Sequence, residues 1–218
     1  VVFFLLPSLA LLAFILISGY HFGEQHFHHK IDESPNSKVS LFYLFYGLLV
    51  LFDLLFLNTE EVLFIIRDMT GFLFPDEFLL YALLVSFMGS CIFFVLIAKN
   101  NPKLQESLLI NVFYLILFST LFYISDVVWS FATYFVLWHS LPSLKDQVNS
   151  LYGKFSWTNV FKYFKKAFPY WIVSLIGMAV VVYLFKDSNY FLSLLFAFIA
   201  SITFPHVFVM RTLFKTRI

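Results

Sequence analysis

The sequence predicts an all-α, polytopic transmembrane bundle of about seven spans, and three observations carry that expectation. Charged residues make up only 12% of the chain against 61% hydrophobic, whereas a soluble domain averages about a quarter charged. Too few charges remain to cover a surface that faces water. Apolar runs of about 20 residues, the length a bilayer-crossing helix needs, recur along the whole chain. The basic residues between them alternate from side to side as the positive-inside rule requires. Residues 1–218 read as a single transmembrane domain, with no internal repeat and no low-complexity segment. A net charge of +1 gives no reason to expect a nucleic-acid partner. The lone Cys91 excludes a disulfide framework and a thiolate metal site.

Residues 1–20 form the first span, with a kink expected at Pro7. The run opens at Val1 with no Met, no basic leader and no small-residue cleavage site, so it is not expected to be a signal peptide. The chain is expected to be a fragment lacking an upstream segment. Residues 39–58 form the second span, which carries Asp53, and 78–98 the third. The apolar stretch 108–141 is too long for one crossing, and Ser125-Asp126 supplies an N-cap in its middle. It therefore divides into a fourth span, 107–124, and a fifth, 127–141. Residues 169–185 and 190–210 are the sixth and seventh.

Seven spans place 21–38, 99–106, 142–168 and the C-terminal tail on one side of the bilayer. That side holds Lys30, Lys38, Lys99, Lys103, Lys145, Lys154, Lys162, Lys165, Lys166, Arg211, Lys215 and Arg217, twelve of the 14 basic residues. Arg67 and Lys186 lie opposite, among Glu60, Glu61, Asp68, Asp76, Glu77 and Asp126. The basic side, with the C-terminus, is expected to be cytoplasmic, and the bilayer to be the cell's inner (plasma) membrane. Two connectors read as more than turns. Within 59–77, Val62, Leu63, Ile65 and Ile66 oppose Glu60, Glu61, Arg67 and Asp68, the pattern of a short amphipathic helix at the outer interface. Within 156–167, Trp157, Val160, Phe161 and Phe164 alternate with Lys162, Lys165 and Lys166, the pattern of an interfacial helix on an anionic leaflet.

An imidazole beside lipid costs free energy unless its ring has a partner, so intramembrane histidines mark functional positions. His21 closes the first span, His139 ends the fifth, and His206 sits about one turn before Arg211 near the end of the seventh. All three fall at a similar depth on the basic side, and they are expected to meet at one metal. Imidazole suits Fe, Zn or Cu. Glu24, one turn from His21 if the helix continues, would receive the other N–H of a metal-bound ring; as a loop acid it would simply be solvated. His26, His28 and His29 are expected in a solvated polar loop. Asp53 needs a partner within the bundle. The 32 Phe and 12 Tyr suit a greasy, polyene-like ligand as well as lipid contact.

Three blocks carry a family resemblance: Tyr20-His21-Phe22-Gly23-Glu24, Tyr134-Phe135 with Trp138-His139-Ser140, and Thr203-Phe204-Pro205-His206. They resemble, in order and wide spacing, the signature segments of the Brp/Blh family of bacterial and archaeal β-carotene 15,15′-dioxygenases. The resemblance implies a membrane non-haem enzyme using Fe2+ and O2 to cleave the central double bond of β-carotene into two retinals, often for a microbial rhodopsin. His21 and His139 match the family's proposed iron ligands, and His206 matches its Pro-His block. Tyr20, Phe22, Tyr134, Trp138 and Phe204 neighbour those positions and are expected to line a cleft that admits β-carotene from the bilayer. No catalytic residue beyond the ligands is expected. Family members also carry an upstream Pro-His-Gly block, and many have a second His where this chain has Ser143. Two other readings compete. A membrane di-iron desaturase or hydroxylase-like oxidase needs more clustered histidines than the six present. A seven-span receptor of the rhodopsin kind needs a Schiff-base Lys in its last span, and 190–210 has none; a seven-span transporter needs paired charges or broken helices near the midplane, where only Asp53 qualifies.

Overall fold

Within hydrocarbon every backbone N–H and C=O must be satisfied internally, so apolar runs with so few turn residues have little choice but to form helices. The computed structural model describes residues 5–31, 36–188 and 191–215 and contains helices but no strand among them. In chain order these are α1 (Pro7–Phe27), α2 (Ser37–Leu57), α3 (Thr59–Thr70), α4 (Phe78–Ala98), α5 (Pro102–Glu106), α6 (Leu108–Ile124) and α7 (Val127–Thr133). A π-helical segment (Tyr134–Ser140) joins α7 to α8 (Leu141–Tyr152), and α9 (Trp157–Phe185) and α10 (Phe191–Lys215) follow. On length and composition α2, α4, α9 and α10 can each cross a membrane, and α6 is an apolar helix of 17 residues. The architecture is an all-α membrane bundle.

Local chemistry explains the boundaries, and several differ from the sequence reading. Pro7 occupies the first turn of α1, where a missing N–H costs nothing, so it starts the helix instead of kinking it. Asn36 caps α2 by accepting from the Lys38 and Val39 amides, and Asp126 caps α7 by accepting from Val128 and Trp129. Gly71, at φ 73°, closes α3, which buries Val62, Ile66 and Met69 as the amphipathic pattern requires. The basic segment 156–167 is not a separate interfacial helix. It is the first part of α9, which runs on through Pro169 because only the bond to the Lys165 carbonyl is lost there.

Between helices in lipid there is little hydrophobic driving force, so close packing and polar contacts hold a bundle together. The tightest pairing joins α1 to α2 through three glycines. A Cβ on Gly47 would strike the Gly19 carbonyl, and one on Gly23 would strike the backbone of Tyr43. Behind this seam lies the main core, which includes Phe22, Phe27, Phe42, Tyr46, Phe118, Phe122 and Tyr134. α2 sits centrally, packed against α1, α4 and α6. Asp53, inside α2, accepts from the Ser119 hydroxyl of α6 at 2.7 Å, the partner the sequence left unnamed. In contrast no residue of α9 is fully buried.

Candidate metal centre

The centre is assembled by three helices whose sequences are mostly apolar. On α1 the helix does not stop at the end of its apolar run. It continues through Tyr20-His21-Phe22-Gly23-Glu24-Gln25 to Phe27, because Gly23 lets this end lie directly against α2. His21 is thereby only 1% exposed. On α10, Pro205 lies inside the helix beside His206, which remains half-buried.

His139 depends on the π segment. Along α7, the π segment and α8, five of the six buried positions, Ser130, Tyr134, His139, Ser143 and Asp146, form a stripe whose steps are four, five, four and three residues; the sixth is Val148. A step of five on a regular α-helix would rotate the side chain by about 140° away from its stripe. The wider winding of Tyr134–Ser140 restores it, so Tyr134 and His139 share one inward face. The Gln25 amide then donates to the His139 carbonyl at 2.8 Å, tying α1 to the end of the π segment.

The three imidazoles converge. Ring centroids stand 5.0 Å apart for His21–His139, 5.4 Å for His21–His206 and 5.9 Å for His139–His206. One nitrogen from each lies within 4.8 Å of the others. Neither nitrogen of His21 has a hydrogen-bond partner among the described residues. Buried polar groups are nearly always satisfied, and one left unmet costs about 1–3 kcal/mol. Unprotonated nitrogens facing a shared point are what a borderline divalent cation uses, so this donor set fits iron or zinc.

Some expected residues lie at this centre and others do not. Phe22 and Phe135 each place a ring centroid 5.0 Å from His139, and Phe22 also packs on Tyr134 at 5.5 Å. Phe22, Tyr134, Trp138 and His139 line a cavity of about 500 Å³ that extends to Lys30, Lys145 and Asn149. Tyr20 and Phe204 do not line it. Tyr20 turns to Glu24 and Tyr43. Phe204 packs near Phe14, since a residue two before His206 points to nearly the opposite side of a helix. Glu24 is buried, but it receives the Tyr20 hydroxyl at 3.1 Å and not an N–H of His21. Ser143 lies buried one turn beyond His139 and donates to Met210 Sδ at 3.7 Å.

The loop expected to hold His26, His28 and His29 is in large part helix. His26 lies in α1, stacks on Tyr46 and donates to Asn111 Oδ1 at 2.9 Å. Lys30 donates to the same oxygen at 2.9 Å, and burial pulls its ammonium down to about 8. His28 and His29 meet Asp146 of α8. Gln25, Phe135 and Asp146 are the residues near the centre that sequence reading passed over. Only the five-residue step from Tyr134 to His139 could have exposed them.

A family model described as beta-carotene 15,15′-dioxygenase matches residues 1–214. No curated protein and no solved structure matches the chain. The match spans the helices that bring His21, His139 and His206 together, and the chain belongs to the β-carotene 15,15′-dioxygenase family.

Proposed function

We propose that this protein is a membrane non-haem iron dioxygenase that cleaves the 15,15′ double bond of β-carotene with O2 to give two molecules of retinal. His21, His139 and His206 would hold the Fe2+, and the product would serve a microbial rhodopsin where one is present. The observation that carries this reading is His21, fully buried with both ring nitrogens unpartnered and two further imidazoles facing it. When bound, iron supplies the open coordination positions and redox chemistry that O2 needs to react with a polyene.

The chain's own residues do the rest. Phe22, Phe135 and the neighbouring Tyr134 and Trp138 form an aromatic wall against His139. A rigid wall of this kind fixes a flat, conjugated hydrocarbon close to the reacting centre, and such positioning is worth several kcal/mol of barrier. Cleavage breaks one C=C and forms two C=O, one oxygen atom going to each half, so no side chain needs to give or take a proton. β-Carotene is hydrocarbon and enters sideways from lipid. The inner (plasma) membrane is the proposed location, with the basic end of the bundle and the C-terminus in the cytoplasm.

Expression in a bacterium that accumulates β-carotene tests the reading. Orange colour should fade and retinal appear in the extract. Cells that stay orange while holding well-expressed, folded protein would count against the proposal.

A further inference from the structure

A second cluster of metal-ligating side chains lies outside the three-histidine centre. It is built where the end of α1 meets α8, from residues more than a hundred positions apart. His28 and His29 follow directly on α1, their rings 3.6 Å apart between centroids. His29 Nε2 stands 3.1 Å from Asp146 Oδ1, and His28 Nε2 stands 3.8 Å from Asp146 Oδ2. One ligating atom from each residue lies within 4.8 Å of the other two.

The tautomer of His28 is fixed by its surroundings. Its Nδ1 lies 3.0 Å from the Gln25 carbonyl and 3.2 Å from the Glu24 carbonyl. A carbonyl oxygen only accepts, so Nδ1 carries the hydrogen and Nε2 presents a lone pair. That lone pair faces a carboxylate. An acceptor nitrogen and a carboxylate oxygen turned to one point are well placed when a cation lies between them. The backbone-anchored Nδ1–H is also the usual second bond of a metal-bound imidazole.

We infer that His28, His29 and Asp146 form a second site, for a divalent first-row transition ion of the Zn2+ class. The spacing suits it: ligands about 2.1 Å from a tetrahedral ion stand about 3.4 Å from one another, between the two separations found. Access suits it as well. His29 is exposed, and His29 and Asp146 line the cavity that reaches Lys145 and Asn149 at the surface. Three protein ligands leave a fourth position to water. An ion here clamps the end of α1 to α8, one turn beyond the Gln25–His139 bond, and so stiffens the wall of the cavity that contains His139. The inference does not depend on the iron reading, because it shares no ligand with the three-histidine centre.

Titration of the detergent-solubilised full chain with Zn2+, after stripping with EDTA and removal of the chelator, tests the site. The wild type should take up two equivalents, one at each centre; Asp146→Asn and His29→Ala each weaken one of them at least tenfold, and His139→Ala retains that one. Because His29 is exposed, His29→Ala has no reason to misfold, and circular dichroism on Asp146→Asn checks that variant. Zn2+ uptake by both variants that matches the wild type overturns the inference. Loss of uptake in His139→Ala, with Asp146→Asn unaffected, overturns it equally. The iron reading fails by a different result, namely Fe2+ uptake by the wild type that His139→Ala leaves unchanged.

Discussion

His21 is the residue on which the chemistry turns. An imidazole at 1% exposure with no hydrogen-bond partner is unfavourable unless something binds it. Two consequences separate a ligand from a packing residue. His21→Ala, His139→Ala and His206→Ala should each abolish retinal formation and drop iron content to near zero by metal analysis, at unchanged protein level; Thr120→Ala, on the outer surface of α6, should do neither. In metal-free protein, His21→Leu should hold or raise thermal stability, since each unmet buried nitrogen costs about 1–3 kcal/mol. Added Fe2+ should then raise the melting temperature of the wild type and leave that of His21→Leu unchanged. The three positions were legible in the sequence because each closes an apolar run on the same side. The surroundings were not. Asn111, Asp146 and Gln25 meet their histidines across 85, 117 and 114 residues, and no local pattern encodes such pairings. The stretch His26-Phe27-His28-His29-Lys30 is polar enough to pass for a loop, yet α6 and α8 cover much of it.

At the scale of elements, two devices place the histidines. The first is the glycine seam between α1 and α2. Gly47→Ala or Gly23→Ala puts a methyl group into backbone that cannot retreat, with an expected loss of ~3 kcal/mol or more and little folded protein on gel filtration. Gly177→Ala should be mild, because its nearest neighbour is the edge of the Phe198 ring at 3.1 Å. The second device is the π segment. Inserting an alanine after exposed Val136 lengthens the Tyr134–His139 step to six residues, which the π segment does not absorb, and should swing His139 by about 100° off the inward face. Helix content by circular dichroism should persist while bound iron and retinal output vanish; deleting Val136, which leaves a four-residue step that regular winding keeps on one face, and Val136→Leu should each preserve both. Hydropathy alone placed both ends of α2, α4 and α6 to within two residues. It could not show that α1 continues past its apolar run or that α9 absorbs the basic segment, since helix continuation there is decided by neighbouring helices and not by composition.

For the whole molecule, the distribution of basic residues sets the orientation. With seven spans twelve of 14 Lys and Arg would fall on the side of the three histidines, and the proposed orientation then requires that a fluorescent protein fused to the C-terminus glow and an alkaline phosphatase fused there stay inactive. A fusion in the loop after α3 should behave in the opposite way. Reversal of both signals would turn the molecule over and place the centre at the outer face. The overall architecture was the most readable level, because the bilayer enforces it on any chain this apolar. The last consequence comes from α9, none of whose 29 residues is fully buried. Its order depends on the surrounding acyl chains more than that of α2 does. Moving the protein from bilayer nanodiscs into a short-tailed detergent should therefore accelerate deuterium uptake there first, leaving the amides of α2 slow; a membrane protein with this build has a periphery that melts with its solvent around a centre that does not.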